Sequence, residues 1–230
     1  MLLTLPVRTV AIATPRARIV QLDLSGHTFE YLAGQAIIVT DMDSERRAYS
    51  IASAPEDIEQ TGCLELLVGV SAEPTRRFAF EAGANVTVEG PMGAFTFPSE
   101  PAEKHFLFVA GGTGIAPLRA MIRHAVAATA PPPTLGLLYS ARTPEEFAFE
   151  TEFQALASRG ALELRQRVTR ASEAEWPGDR GRIDRVGLSA LVHDERTLCF
   201  VCGPATMVDD IPPMLNEIGI AKDRIRIEEW

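Results

Sequence analysis

Only three cysteines occur in the 230-residue chain, Cys63, Cys199 and Cys202. That is too few for the disulfide framework of a small secreted domain, and one short of the four thiolates that hold an iron–sulfur cluster. Positive charge is also scarce: 22 Lys and Arg stand against 31 Asp and Glu, a formal net charge of −9, which argues against a nucleic-acid partner. No apolar run reaches the roughly 18 residues of a membrane-spanning helix, and Met1-Leu2-Leu3-Thr4-Leu5-Pro6 lacks the positive flank of a secretory leader. No repeat or low-complexity tract is present. These absences leave a soluble cytoplasmic protein with no membrane span and no metal site as the expectation.

What is present describes two domains. A composition of 46% hydrophobic and 23% charged residues is that of a globular protein, and the length suits two units of about 100 to 150 residues. Up to Phe97, short β-rich runs (residues 7–13, 17–24, 35–40, 48–52, 63–70 and 85–88) are broken by turn residues, which predicts an antiparallel barrel or sandwich. The segment Pro98-Ser99-Glu100-Pro101-Ala102-Glu103-Lys104 reads as a linker, dividing the chain into domains of residues 1–98 and 104–230. Beyond it, strands at 105–110, 134–140, 162–168, 197–201 and 224–227 alternate with helices at 116–128, 145–158, 185–192 and after Pro204. This is the pattern of a doubly wound, five-stranded parallel sheet. Pro212 and Pro213 fall inside the last helix and predict a kink or break there.

Four motifs follow one another in order: Arg47-Ala48-Tyr49-Ser50, Gly90-Pro91-Met92-Gly93-Ala94-Phe95, Gly111-Gly112-Thr113-Gly114-Ile115-Ala116-Pro117 and Cys202-Gly203-Pro204. On a strand, Arg47 and Tyr49 share one face and Ser50 takes the other. They offer a cation, a ring and a hydroxyl to a flavin, or else belong to an ordinary strand. Gly112, Thr113 and Gly114 stand between a strand and a helix, where free N–H groups and the helix dipole favour phosphate; read alone, G-x-G is also a plain turn. The second strand of the parallel sheet ends in Ser140-Ala141-Arg142, where an NAD-type fingerprint would place a carboxylate. Arg142, with Thr169-Arg170 at the next strand end and Arg182 in Gly181-Arg182-Ile183, suits a 2′-phosphate and favours NADPH over NADH. Cys199 and Cys202 form a C-x-x-C, but residues three apart on a strand face opposite ways, which is unsuited to zinc or dithiol chemistry.

Taken together, these residues resemble the ferredoxin–NADP reductase superfamily over nearly the whole chain. The resemblance implies an antiparallel six-stranded Greek-key barrel that binds FAD and a parallel α/β domain that binds NADPH, with NADH possible. It implies that Arg47 contacts the flavin pyrophosphate, that Tyr49 packs on the isoalloxazine, and that Ser50 bonds near the hydride-accepting nitrogen. Ala48, Val68 and Thr75 join the cofactor-binding set, although Glu73-Pro74-Thr75-Arg76-Arg77-Phe78 lacks a glycine often found just before it. Thr113 and its glycines line the nucleotide pyrophosphate, and Cys202 and Gly203 lie beside the nicotinamide. In Ile227-Glu228-Glu229-Trp230 the resemblance makes Glu228 an active-site carboxylate and Trp230 a ring gating the flavin.

The implied activity is hydride transfer from NAD(P)H to bound flavin, followed by single-electron delivery to a separate acceptor such as a ferredoxin or an oxygenase component. Arg46, Arg76, Arg77, Arg119 and Arg123 form a candidate basic face for that partner. The alternatives are an NAD(P)H:flavin reductase and an FAD-binding electron-relay subunit of a larger complex.

Overall fold

Strict alternation builds the first half of the molecule. In Ala17–Asp23 the side chains of Val20 and Leu22 are fully buried while Ile19 and Gln21 are only half-covered, the period-2 signature of a strand with one face on a core. The computed structural model describes residues 1–40, 45–70, 80–128 and 132–229. Its first sheet comprises β1 (Leu2–Thr14), β2 (Ala17–Asp23), β3 (Ala36–Thr40), β4 (Arg46–Ser50), β5 (Cys63–Gly69) and β6 (Asn85–Met92), all antiparallel, in the order β4-β3-β6-β1-β2-β5. Ile51, just past β4, bridges to Leu66 of β5. The two edges thereby meet and the sheet closes around Leu5, Val20, Leu22, Ile37, Val39, Leu64, Leu66 and Val88. A short helix, α1 (Asp57–Thr61), lies between β4 and β5.

The second half is a parallel sheet whose three central strands are apolar almost throughout because helices cover both faces. Its elements are β7 (His105–Gly111), α2 (Ile115–Ala128), β8 (Thr134–Ala141), α3 (Glu150–Ser158), β9 (Glu163–Val168), β10 (Asp179–Arg180), α4 (Arg185–Ser189), β11 (Leu198–Gly203), α5 (Ala205–Glu217) and β12 (Ile225–Glu229). The strand order is β10-β9-β8-β7-β11-β12.

Three expectations require correction. The parallel sheet has six strands, not five, because two residues of polar sequence, Asp179 and Arg180, pair with Arg167 and Val168; so short and exposed a strand leaves no hydrophobic pattern. The helix expected at 145–158 is split into a 3-10 turn at Pro144–Glu146 and α3. Between them Phe147 packs edge-on against Tyr139, with ring centroids 5.0 Å apart, and the Ala148 N–H donates to the Tyr139 hydroxyl at 3.2 Å, drawing the chain out of helical geometry. Finally, of the kink or break expected at Pro212 and Pro213 the break is absent, since α5 runs through both as one helix. Val208, Ile211 and Leu215 are buried on one side while Pro213 is exposed, so core packing outweighs backbone bonds lost on the solvent side.

The two halves are joined by rings and charges. Phe95 and Phe97, at the end of the barrel sequence, enter the core of the parallel domain, where Phe97 lies 4.6 Å from Phe106 and Phe95 lies 5.7 Å from Phe200. The approach is close enough to require glycine at position 34, whose φ is +102° and whose added Cβ would sit 2.3 Å from the Phe95 carbonyl oxygen.

Beside this cluster Arg119 of α2 is 8% exposed. Its Nη1 donates to the Ala52 carbonyl at 2.9 Å and to Glu65 at 2.8 Å, both in the barrel, while Nε donates to Glu152 of α3 at 2.8 Å. The guanidinium also lies 4.1 Å over the Phe149 ring. Arg123 shares Glu152 and bonds Asp57 at 2.7 Å, and His124 contacts Glu56 at 2.7 Å. Burial pushes the Asp57 carboxyl up, but Arg123 and the Ala54 N–H outweigh it and hold the group below its ordinary range. The expected basic docking face is therefore corrected: Arg119 and Arg123 are spent on holding the domains together, Arg46 pairs with Glu89, and Arg76 and Arg77 lie outside the described residues.

Removing Arg119 would take the cation from Glu65 and leave Glu152 with Arg123 alone, in a largely buried setting. Arg119→Ala is therefore expected to destabilise the protein by about 3 kcal/mol in denaturant titration, the scale of breaking a buried pair. Arg119→Lys should recover only part of this, because one ammonium cannot reproduce the three-way fork. A loss below about 1 kcal/mol for the alanine variant would refute the assignment.

Candidate active site

The candidate side chains stand at or near strand ends. In the β3–β4 ladder Arg47 and Tyr49 lie opposite Val39 and Ile37, two core residues, so both point toward the barrel interior side. Tyr49 packs edge-on against Phe80 at 5.6 Å, and Arg47 is paired with Glu45. Ala48 is exposed, and Ser50 faces the other way, as strand alternation requires. Val68 is buried in the barrel core, which leaves only its backbone to a ligand.

Ser50 is a point at which the two domains touch. Its hydroxyl lies 3.5 Å from Oε2 of Glu228 on β12. Glu228 is the ladder partner of Cys202 on the neighbouring β11, so hydroxyl, carboxyl and thiol occupy one seam between barrel and sheet. The Cys202 thiol is 1% exposed; burial, reinforced by the Glu228 charge, pushes its pKa far up and keeps it a neutral S–H. Cys199 and Cys202 belong to the cores on opposite faces of the sheet, as expected for residues three apart, and all three cysteines are free and buried.

Adjoining this seam is a cleft of about 690 Å³. Its floor is the turn after β7: Gly112, with φ +55°, starts a 3-10 turn through Gly114 that feeds directly into α2. Next to it Gly111 and Gly203 lie back to back under Met207, whose sulfur would be 2.6 and 2.7 Å from an added Cβ, so a side chain at either position would have to displace Met207. Arg142, Thr169, Arg170 and Arg182 all line the cleft. The ladder continues past the strand ends, with Thr169 and Arg170 donating to the carbonyls of Ala141 and Arg142 at 3.0 and 2.8 Å. Arg142 and Arg170 are thus brought side by side. Gly69 and Val70 supply the barrel wall.

Residues 108–212 match the family model described as the oxidoreductase NAD-binding domain. Over 217 residues, 89% of this chain and 87% of the relative, the sequence is 31% identical to ferredoxin–NADP reductase B of Sorangium cellulosum. The chain belongs to the ferredoxin–NADP reductase family. A solved ferredoxin reductase of carbazole 1,9a-dioxygenase superposes on all of the chain and 69% of its own length, with a TM-score of 0.84 at 25% identity. The same fold recurs in a ferredoxin NADP⁺ reductase from Neisseria gonorrhoeae, solved with bound FAD and NADP, with a TM-score of 0.82 at 21% identity over 99% of this chain and 98% of that one.

Two residues of this reductase-family site escaped sequence reasoning. Tyr139 is fully buried, and its hydroxyl donates to the Gly112 carbonyl at 3.1 Å, bracing the glycine turn from below. Arg16 reaches the cleft from the barrel. Neither sits in a motif; a tyrosine in an otherwise aliphatic buried strand was the one available signal. Thr75 and Trp230, both expected at the flavin, lie outside the described residues.

Burial raises the Glu228 carboxyl above its ordinary pKa, while the Ser50 contact acts in the opposite direction. Between its unfolded and folded pKa values the native protein holds a proton that the unfolded chain has lost. Stability therefore falls as pH rises through that window and stays lower above it. Glu228→Gln is expected to raise Tm at neutral pH, the gain vanishing as pH approaches the ordinary Glu range of about 4; a pH-independent difference would contradict this.

Proposed function

We propose that the protein is a cytoplasmic FAD-dependent reductase that oxidises NAD(P)H, preferring NADPH, and delivers electrons to a separate acceptor protein such as a ferredoxin or an oxygenase component. The observation that carries this reading is the seam where Ser50 and Glu228 meet beside Cys202, with a phosphate-suited cleft opening next to it. Residues 1–98 hold the flavin and residues 104–230 the nicotinamide nucleotide. The donor set fits both groups: Arg47, Tyr49 and Ser50 offer a cation, a ring and a hydroxyl within the last four residues of one strand, and the cleft offers a helix N-terminus and arginines. The printed names of the Sorangium and carbazole-dioxygenase relatives support the choice of acceptor.

When bound, FAD accepts the hydride of NAD(P)H and releases its electrons singly. The chain's own task is placement and exclusion of water. Ser50 supplies a hydroxyl from the barrel side and Cys202 an uncharged thiol from the sheet side, so the pair aligns two flat rings without placing charge between them. Glu228, half-buried and raised in pKa by that burial, accepts from the Ser50 hydroxyl at 3.5 Å and so orients it. Gly112, Thr113 and Gly114 present backbone N–H groups to the pyrophosphate.

Charge accounting in the cleft favours NADPH. Arg16 is paired with Glu146, and Arg182 lies 3.8 Å from Asp210, whereas Arg142 and Arg170 make no ion pair among the described residues. Two free guanidinium groups match the charge of about −1.5 to −2 on a phosphate monoester.

Anaerobic stopped-flow mixing of the yellow protein with NADPH and NADH tests the reading. NADPH is expected to bleach bound flavin at the lower concentration, Ser50→Ala to slow bleaching by at least about tenfold, and Arg142→Ala to raise the NADPH concentration required by about tenfold while sparing NADH, on the scale of a charged hydrogen bond. Flavin that stays oxidised with both nucleotides would end the enzymatic assignment.

A further inference from the structure

Arg16 lies in the turn between β1 and β2, in a stretch that carries no motif, yet its guanidinium reaches the other domain. Its Nη2 donates to Oε2 of Glu146 at 2.6 Å, a contact between residues 130 apart in sequence. Both line the nucleotide cleft together with Arg142 and Arg170. Glu146 keeps only 16% of its side chain exposed, against 44% for Arg16. Glu146 is therefore the member of the pair that is withdrawn from water, and it is the one that needs a counter-charge. Without Arg16, a largely buried carboxylate would line the wall of an anion site, repelling phosphate and competing with it for Arg142, four residues earlier on the same strand-end segment.

We propose that Arg16 is a specificity-determining residue of the nucleotide cleft, supplied by the barrel. By engaging Glu146 it keeps that carboxylate from Arg142, so that Arg142 and Arg170 remain as the cleft's net positive charge and a 2′-phosphorylated adenosine is favoured over its 2′-hydroxyl counterpart. The inference rests on the reading of this cleft as the NAD(P)H site and deepens it: nucleotide choice becomes a joint property of both domains. Arg182 does not share this role, since Asp210 already partners it.

Calorimetric binding of adenosine 2′,5′-bisphosphate and of adenosine 5′-monophosphate to the purified protein tests this without turnover. Arg16→Gln is expected to weaken the bisphosphate about three- to fivefold, the scale of one exposed ion pair, and to leave the monophosphate within about twofold. Arg16→Lys should keep the wild-type preference. The double variant Arg16→Gln/Glu146→Gln should regain it, which a misfolded single variant could not. Equal weakening of both ligands by Arg16→Gln, or failure of Glu146→Gln to restore the preference, overturns the proposal. A wild-type protein that binds the monophosphate as tightly as the bisphosphate overturns instead the NADPH reading beneath it.

Discussion

A buried guanidinium bridging two domains is the constraint on which the rest of this structure depends. Arg119 joins the Ala52 carbonyl and Glu65 of the barrel to Glu152 of the parallel domain. Ala52 follows Ser50 by two residues, and Arg119 is the fifth residue of the helix that the glycine turn opens. The clamp therefore acts at the roots of both proposed ligand sites. Chemistry between two ligands held on separate domains requires that their separation be fixed to a fraction of an ångström, and domain interfaces within a chain are mobile unless large or tightly bonded. Replacing such a network by apolar packing could match its stability, but a directional fork that reaches three acceptors also sets the angle at which the domains meet.

Charge in the cleft follows a related logic. The chain is acidic overall, yet the wall of the cleft presents four arginines, of which, among the described residues, two are matched by carboxylates and two are not. Net charge says nothing about such a local excess; position and pairing decide it. The seam beside the cleft is arranged in the opposite sense: burial keeps the Cys202 thiol neutral and raises the Glu228 carboxyl above its ordinary pKa.

The most legible parts of the site were those whose function is carried by backbone geometry. Glycine at 112 and 114, proline at 117 and the strand–turn–helix order have few other uses in combination, and the alternation in Arg47-Ala48-Tyr49-Ser50 sets the face of each side chain before any fold is known. Roles that depend on partners were not legible. Arg119 and Arg123 read as surface cations because nothing local distinguishes an arginine with buried carboxylate partners from a solvated one, and Arg16 lacked a motif because its partner is 130 residues away. The same blindness explains α5, where the propensity of two prolines was overruled by the packing of Val208, Ile211 and Leu215.

By itself the sequence determined the two-domain division, the antiparallel and parallel classes of sheet, the glycine turn and the strand-end positions of Ser50, Arg142, Thr169, Arg170 and Cys202, because hydrophobic period and turn chemistry act over a few residues. Only the tertiary structure decided which arginines are free and which are clamped, and that the carboxyl of Glu228 meets Ser50. Those outcomes are set by contacts between side chains far apart in the chain, and an ion pair exists only where folding brings its two charges within reach.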